Sequence, residues 1–403
     1  MLKRSILVLL GTLSLALADM QPAMAQAPST SSDPVLIGVP LPLTGNLSQA
    51  GQSVLRGIRY AAEQANNSGG LLGHPIKLVV EDTKSEPNTA ATVATGMATR
   101  DKVYAFVGGF GSTADMALLQ SIKRFQPIFI HASSGSIKLE QAFGGEPWYF
   151  HVYVWDYHRQ AAVVRFLNSL NPRPQTIAIA YEDSLFGSDA ARYAEQYLLP
   201  AGFQIVMREP FKSGTPDFSP VLQRVTRLQP DIFYVIGYAA DNLQVVRQAR
   251  ELNISPKLML LAGAGEKRPD FGDTGTNVAV ILEWAAEQKT PDNSDLIKGA
   301  AAIEPKTDVV TPQVMTGYTA MRSLVEAVRG GNSLDRESVL KRLAGTTFKT
   351  PFGELEYQKS TGGALHQMLT DKDLIVVQYR PKGEEVVFPP EKAGGTIVYP
   401  ATP

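Results

Sequence analysis

Val35-Leu36-Ile37-Gly38-Val39 is an unbroken apolar run. Behind it, residues 53–67 carry Val54, Leu55, Ile58, Ala62 and Ala65 at helical spacing, and residues 76–80 are apolar again. A short apolar run, a 3.6-residue period and a second short run predict strand, helix, strand. The pattern recurs downstream, with a helix opened by Ser85 and Pro87 and running to 99, strand 104–107, helix 112–125 and strand 128–130. After a crossing near His151 to Trp155, a second series places strands at 176–181, 204–207, 232–236 and 258–261. Helices at 188–199, 221–228 and 243–252 separate them. Such alternation predicts an α/β protein of parallel sheets flanked by helices, and two series predict two doubly wound lobes whose strands end facing a shared crevice. Periodicity assigns no lobe to a late helix at 312–328 or to strands at 374–377 and 386–388.

The rest of the chain bounds what such a fold does. Lys3 and Arg4, an apolar run over 6–18 and Ala23-Met24-Ala25 follow the order of a secretory signal, with cleavage expected after Ala25 and residues 26–33 as a small, polar, flexible leader. Gly11, Thr12, Ser14 and Asp19 leave that run too short for about 30 Å of hydrocarbon, and no later stretch has the length of a spanning helix. Stable membrane insertion is therefore not expected. The 403 residues include no cysteine, which excludes disulfides, thiolate metal ligands and a cysteine-linked lipid. Stability must come from an apolar core, and 44% hydrophobic residues supply one. A mature length of about 378 residues exceeds one compact core. With a formal charge of −1 and no long basic tract, nucleic acid is not expected as a partner.

Catalytic and metal signatures were sought next. His74, His131, His151, His158 and His366 are scattered, with no HExxH pair. No GxSxG or SxxK setting surrounds any serine, and no cofactor is predicted. His131, ending an apolar strand, reads as packing against nearby carbonyls. Gly108-Gly109-Phe110-Gly111-Ser112-Thr113 lacks the lysine of a phosphate loop, and Gly263-Ala264-Gly265 lacks the third glycine of a dinucleotide fingerprint. Both follow an apolar strand, however, and the first opens a helix. Free N–H groups there suit an anionic or strongly accepting group, with the Ser112 and Thr113 hydroxyls as added donors. The same hydroxyls would equally serve as an N-cap with no ligand.

The chain resembles the branched-chain amino-acid and amide class of substrate-binding proteins that serve ABC importers. The resemblance rests on residues 37–45 (Ile37-Gly38-Val39-Pro40-Leu41-Pro42-Leu43-Thr44-Gly45), on 66–76 (Asn66 through Gly69-Gly70 and Gly73-His74-Pro75-Ile76), on 108–113 and on Tyr238 leading to Val246-Arg247-Gln248-Ala249-Arg250. With the fold reading it covers nearly all of the mature chain. It implies the type I periplasmic binding fold, with two lobes joined by three crossings near residues 152, 284 and 366 and closing on a solute. Lobe 1 is then 34–152 plus 284–366, and lobe 2 is 153–283 plus 367–403. It also implies a monomeric periplasmic protein whose partners are a small-molecule solute and an ABC permease.

In amino-acid-binding relatives a serine at the glycine-rich turn and groups after the next strand hold the carboxylate, while an acid from the far lobe holds the ammonium. By this resemblance Ser112 and Thr113, then Ser133 and Ser134, are expected on the carboxylate, and Tyr238 forms an aromatic wall. Four positions depart from the pattern. Gly135 stands where a threonine is expected, Ala264 where the acid is expected, Ala50 where an aromatic wall is common, and Phe186 replaces a tyrosine. An ammonium buried without its acid would cost several kcal/mol, so a larger apolar or aromatic acid or amide is the first expectation and an apolar amino acid the second. An enzyme and a ligand sensor on the same scaffold are the competing classes, because fold alone does not choose among them.

Overall fold

The computed structural model describes residues 33–262, 268–288, 293–303 and 309–401. The expected signal and Ala264 lie outside these residues. In chain order the first half comprises β1 (Val35–Leu41), α1 (Ser48–Asn67), β2 (Ile76–Asp82), α2 (Pro87–Thr99), β3 (Ala105–Gly108), α3 (Ser112–Ile122), β4 (Ile128–His131), α4 (Ile137–Phe143) and β5 (Tyr149–His151). Its strands form one sheet in the order β2-β1-β3-β4-β5, parallel throughout.

The second half continues with α5 (Asp156–Ser169), β6 (Thr176–Glu182), α6 (Leu185–Leu198), β7 (Gln204–Phe211), α7 (Ser219–Leu228), β8 (Ile232–Ile236), α8 (Ala239–Glu251), β9 (Leu258–Ala262), α9 (Arg268–Phe271) and β10 (Ala279–Leu282). After them come α10 (Asn293–Ile303), α11 (Pro312–Gly331), α12 (Arg336–Ala344), the hairpin β11 (Thr347–Thr350) and β12 (Gly353–Glu356), then β13 (Ile375–Tyr379) and β14 (Glu384–Phe388). The second sheet runs β14-β13-β10-β9-β8-β6-β7. Its first five strands in chain order, β6 to β10, repeat the order of the first sheet. Two antiparallel strands extend it, β13 against β10 and β14 against β13. These are the two strands that periodicity left unassigned, and they add an antiparallel edge to an otherwise parallel sheet; the short turn between β13 and β14 can join only antiparallel neighbours.

Central strands are covered on both faces: every residue of β3, β4, β8 and β9 is buried. That is why they read as continuous apolar runs. Helix starts were less visible. The first helix begins at Ser48 rather than 53, since residues 48–52 offer Ala50 as their sole apolar side chain. The late helix α11 packs on α1 and the first sheet. Gly57 and Gly317 make that approach possible: a Cβ on Gly57 would lie 1.9 Å from the Val314 carbonyl oxygen, and one on Gly317 2.2 Å from that of Val54. The tail beyond Arg380 returns to the second sheet, where Val398 N donates to Gln378 Oε1 at 2.8 Å and Ala401 N to the Lys257 carbonyl at 2.6 Å.

Candidate functional site

Both sheets reverse strand order between their first and third strands, β1/β3 and β6/β8, and the crevice beyond the C-terminal strand ends is where such sheets take ligands. The β3–α3 turn sits there. Gly109 and Gly111 have φ of +86° and +96°, and a Cβ on Gly109 would lie 2.6 Å from His131 Nε2. Gly111 is the N-cap of α3, without a side-chain cap. Neither Ser112 nor Thr113 therefore acts as the N-cap. Ser112 is buried, and its Oγ accepts from Ser136 N at 3.4 Å. Thr113 Oγ1 instead accepts from Leu185 N at 3.3 Å, joining α3 to the start of α6.

The β4–α4 turn is the second wall. Ser134, at φ +84°, donates its hydroxyl to Asp115 Oδ2 at 2.7 Å. His131 Nε2 reaches the same oxygen at 2.8 Å, and its Nδ1 meets Tyr149 Oη at 2.5 Å. The ring of His131 is held by two side chains rather than by the carbonyls expected for it. His151 Nε2 donates to the Ser134 carbonyl at 2.9 Å, and its ring stacks on Trp155 at 3.6 Å. Ser133 lies on a different contact, its Oγ 3.4 Å from Thr316 Oγ1 of α11.

From the other side, Phe186 in the first turn of α6 and Tyr238 at the N-cap of α8 pack ring to ring at 5.2 Å, and Tyr238 meets Phe110 at 6.0 Å. Phe110, Gly111, Ser112, Ser134, Gly135, Tyr153, Phe186 and Tyr238 together enclose a cavity of about 10 Å³, room for one water at most. Of the expected residues, Ser112, Ser134, Gly135, Phe186 and Tyr238 thus converge, whereas Thr113 and Ser133 do not line this cavity.

Sequence reasoning missed Phe110, Tyr153 and an acid. Asp156, the first residue of α5, is fully buried, and neither carboxylate oxygen has a hydrogen-bond partner. Its Oδ1 lies 3.1 Å from where a Cβ on Gly135 would stand, so the glycine leaves the carboxylate uncovered on that side. Burial pushes the Asp156 carboxyl well above the usual carboxylate range; Arg159 pulls it back and Asp189 raises it further. The available signal was an acid directly after the apolar segment Val152-Tyr153-Val154-Trp155. Next to Tyr238, burial lifts Glu182 to about 7, against hydrogen bonds from Ser184 that lower it.

The chain as a whole has counterparts among known proteins. A leucine-, isoleucine-, valine-, threonine- and alanine-binding protein of Pseudomonas aeruginosa is 24% identical over 333 residues, covering 82% of this chain and 87% of that protein. Among solved structures, a branched-chain amino-acid transporter substrate-binding protein from Streptococcus pneumoniae in complex with isoleucine superposes with a TM-score of 0.77 at 19% identity, covering 89% of this chain and all of the other. An R. palustris solute-binding protein in complex with benzoate gives 0.77 at 16% identity, covering 91% and 98%. Both likenesses are of fold. Residues 34–378 match the periplasmic binding protein family, and the chain belongs to it.

Proposed function

We propose that this protein is an exported solute-binding protein, not an enzyme, which captures a small carboxylate- or amide-bearing apolar or aromatic solute between two lobes and delivers it to an ABC permease. One observation carries the reading: the β3–α3 turn, with Phe110 and Ser112, faces the rings of Phe186 and Tyr238 across the crevice. The turn supplies helix N-terminal N–H groups and a hydroxyl for an anionic or accepting head, and the rings supply apolar area at about 25 cal/mol per Å². Family membership and the two named complexes, one with isoleucine and one with benzoate, agree with this division of labour.

The lobes we assign are 34–152 plus 284–366 and 153–283 plus 367–403, in a periplasmic monomer. Sheet membership supports this division, and two of the crossings zip together: His151 N donates to the His366 carbonyl at 2.9 Å, Met368 N to that of His151 at 2.9 Å and Leu369 N to that of Val152 at 3.1 Å. Solute entry requires these lobes to part, because the cavity between the walls is water-sized.

Asp156 favours a second reading. An acid left unbonded behind Gly135 is a partner for an ammonium, which brings an apolar amino acid back as a solute. A thermal-shift screen of the mature protein against aromatic carboxylates, aliphatic acids, short amides and apolar amino acids separates the two, since binding to the native state raises Tm. Shifts with acids lacking an amine support the first reading and shifts confined to amino acids support the second. Silence from all four classes would sink both.

A further inference from the structure

Tyr153 is one of the residues that wall the small cavity in the crevice, and it is 3% exposed. It also belongs to the first of the three segments assigned above as crossings. Its two polar groups are each held by another segment. The hydroxyl accepts from Arg159 Nη2 at 2.7 Å, and the carbonyl accepts from Gln367 Nε2 at 2.5 Å.

Each of these donors brings in a further crossing. Arg159, on α5, donates through the same Nη2 to Glu283 Oε1 at 3.2 Å and through Nη1 to the Ile281 carbonyl at 3.5 Å. Glu283 stands at the second crossing, and both side chains of this ion pair are buried. Gln367 belongs to the third crossing and is fully buried. Its Nε2 also donates to the Leu369 carbonyl at 2.6 Å, and its Oε1 lies 2.9 Å from His151 Nδ1. A residue of the cavity wall is thereby bonded to all three connections between the lobes, although Arg159, Glu283 and Gln367 do not line the cavity themselves.

Parting the lobes changes backbone torsions in the crossings. Buried hydrogen bonds resist that change, because breaking one leaves polar groups unpaired away from water. A residue bonded to three crossings therefore moves with them, and the place of its ring in the wall follows the angle between the lobes. We propose, on the crevice reading above, that Tyr153 couples the solute to the hinge. The solute packs on its ring, while Arg159, Glu283 and Gln367 act as positioning residues that tie the ring to the closed angle of the crossings. Such coupling is reciprocal: the closed hinge holds the ring against the solute, and the solute on the ring holds the hinge closed. Loosening the ties then acts on the solute's departure from the closed form rather than on its arrival at the open one.

The test is stopped-flow binding of benzoate and of L-isoleucine to the mature protein, one probe for each reading of the crevice. Intrinsic fluorescence reads it, since Trp155 and Trp284 sit at two of the crossings. Tyr153→Phe keeps the ring and removes the hydroxyl that Arg159 holds. It should leave association within about twofold and speed dissociation about 10-fold, the scale of one hydrogen bond to a charged group. Glu283→Gln, outside the cavity, keeps an acceptor for Arg159 and removes the charge; it should speed dissociation about threefold or more. The double variant should dissociate no faster than about twice the faster single variant, because both substitutions cut the same chain of contacts. Unchanged dissociation in Tyr153→Phe overturns the proposal. So does faster dissociation that Glu283→Gln does not share, which makes the hydroxyl a wall contact alone, and so does a lowered thermal midpoint without a kinetic change. Binding of neither probe by the parent overturns the inference through the crevice reading it rests on, whereas a parent that binds and variants that keep its rates overturn the coupling alone.

Discussion

Asp156 has two unbonded carboxylate oxygens in a site without solvent, an arrangement tolerated for the neutral acid or beside a cation. Its substitution therefore reports the solute's chemistry. Asp156→Asn should change the affinity of an aromatic carboxylate by less than about threefold. It should weaken an amino acid about 100-fold or more, the scale of stranding a buried charge. Ser112→Ala should weaken either about 10-fold, as expected for one hydrogen bond to a charged group; equilibrium titration of the screen's best solute reads both. His158 makes a different kind of report. Burial pushes it down to about 4, and its Nδ1 accepts from Trp155 N at 3.2 Å, so the neutral ring is the bonded form. The unfolded chain takes up that proton near pH 6.5, which the folded chain refuses until about 4. Stability from this residue is thus complete above about 6.5 and lost as pH falls toward 4, about 1–2 kcal/mol by pH 5. Urea unfolding at pH 7 and 5 should show the loss, and His158→Gln should remove part of that slope.

Elements differ in how much of themselves they write into sequence. β8, at Ile232–Ile236, was legible to the residue, because a strand buried on both faces is apolar throughout. β5, at Tyr149–His151, was not legible as a strand and only His151 fell within the expected crossing, since its polar ring is satisfied by a tertiary partner that lies far along the chain. The walls of the crevice were legible where a glycine turn follows a strand, hence Ser112 and Gly135. Thr113 and Ser133 do not line the cavity; their hydroxyls meet Leu185 N and Thr316 Oγ1, partners from α6 and α11 that no local pattern announces. Asp156 was marked only by the apolar segment Val152–Trp155 before it, a weak sign, because an aspartate at a helix start is ordinarily solvated. The α1–α11 pairing was also unreadable, although its glycines were in plain view. Gly317→Ala drives a methyl into the Val54 carbonyl, and the two helices must separate to admit it. A loss of about 1–3 kcal/mol is expected, measured as a lowered thermal midpoint; an unchanged midpoint would mean that the helices slide freely.

Across the whole molecule the halves meet through polar contacts as well as through the aromatic wall, three among them at the crevice. Ser136 Oγ donates to Asp189 Oδ2 at 2.5 Å, Asn46 Nδ2 to Ser213 Oγ at 2.8 Å, and Leu185 N to Thr113 Oγ1. Asp189→Ala removes the most buried of these acceptors and should shift the population toward parted lobes. Solution X-ray scattering would show a larger radius of gyration without solute, and an unchanged radius would assign closure to the aromatic wall alone. The α1–α11 pairing has a consequence of another kind. Tyr318 Oη donates to Gln64 Oε1 across 254 residues of sequence, so the helical layer that covers the first sheet is completed by chain made long after that sheet. Contacts of such separation slow folding, because loop closure is paid before the contact rewards it. A nascent chain waiting for a segment made 254 residues later stays unfolded longest in the half made first, the condition in which a polypeptide can still be threaded through a narrow translocation channel.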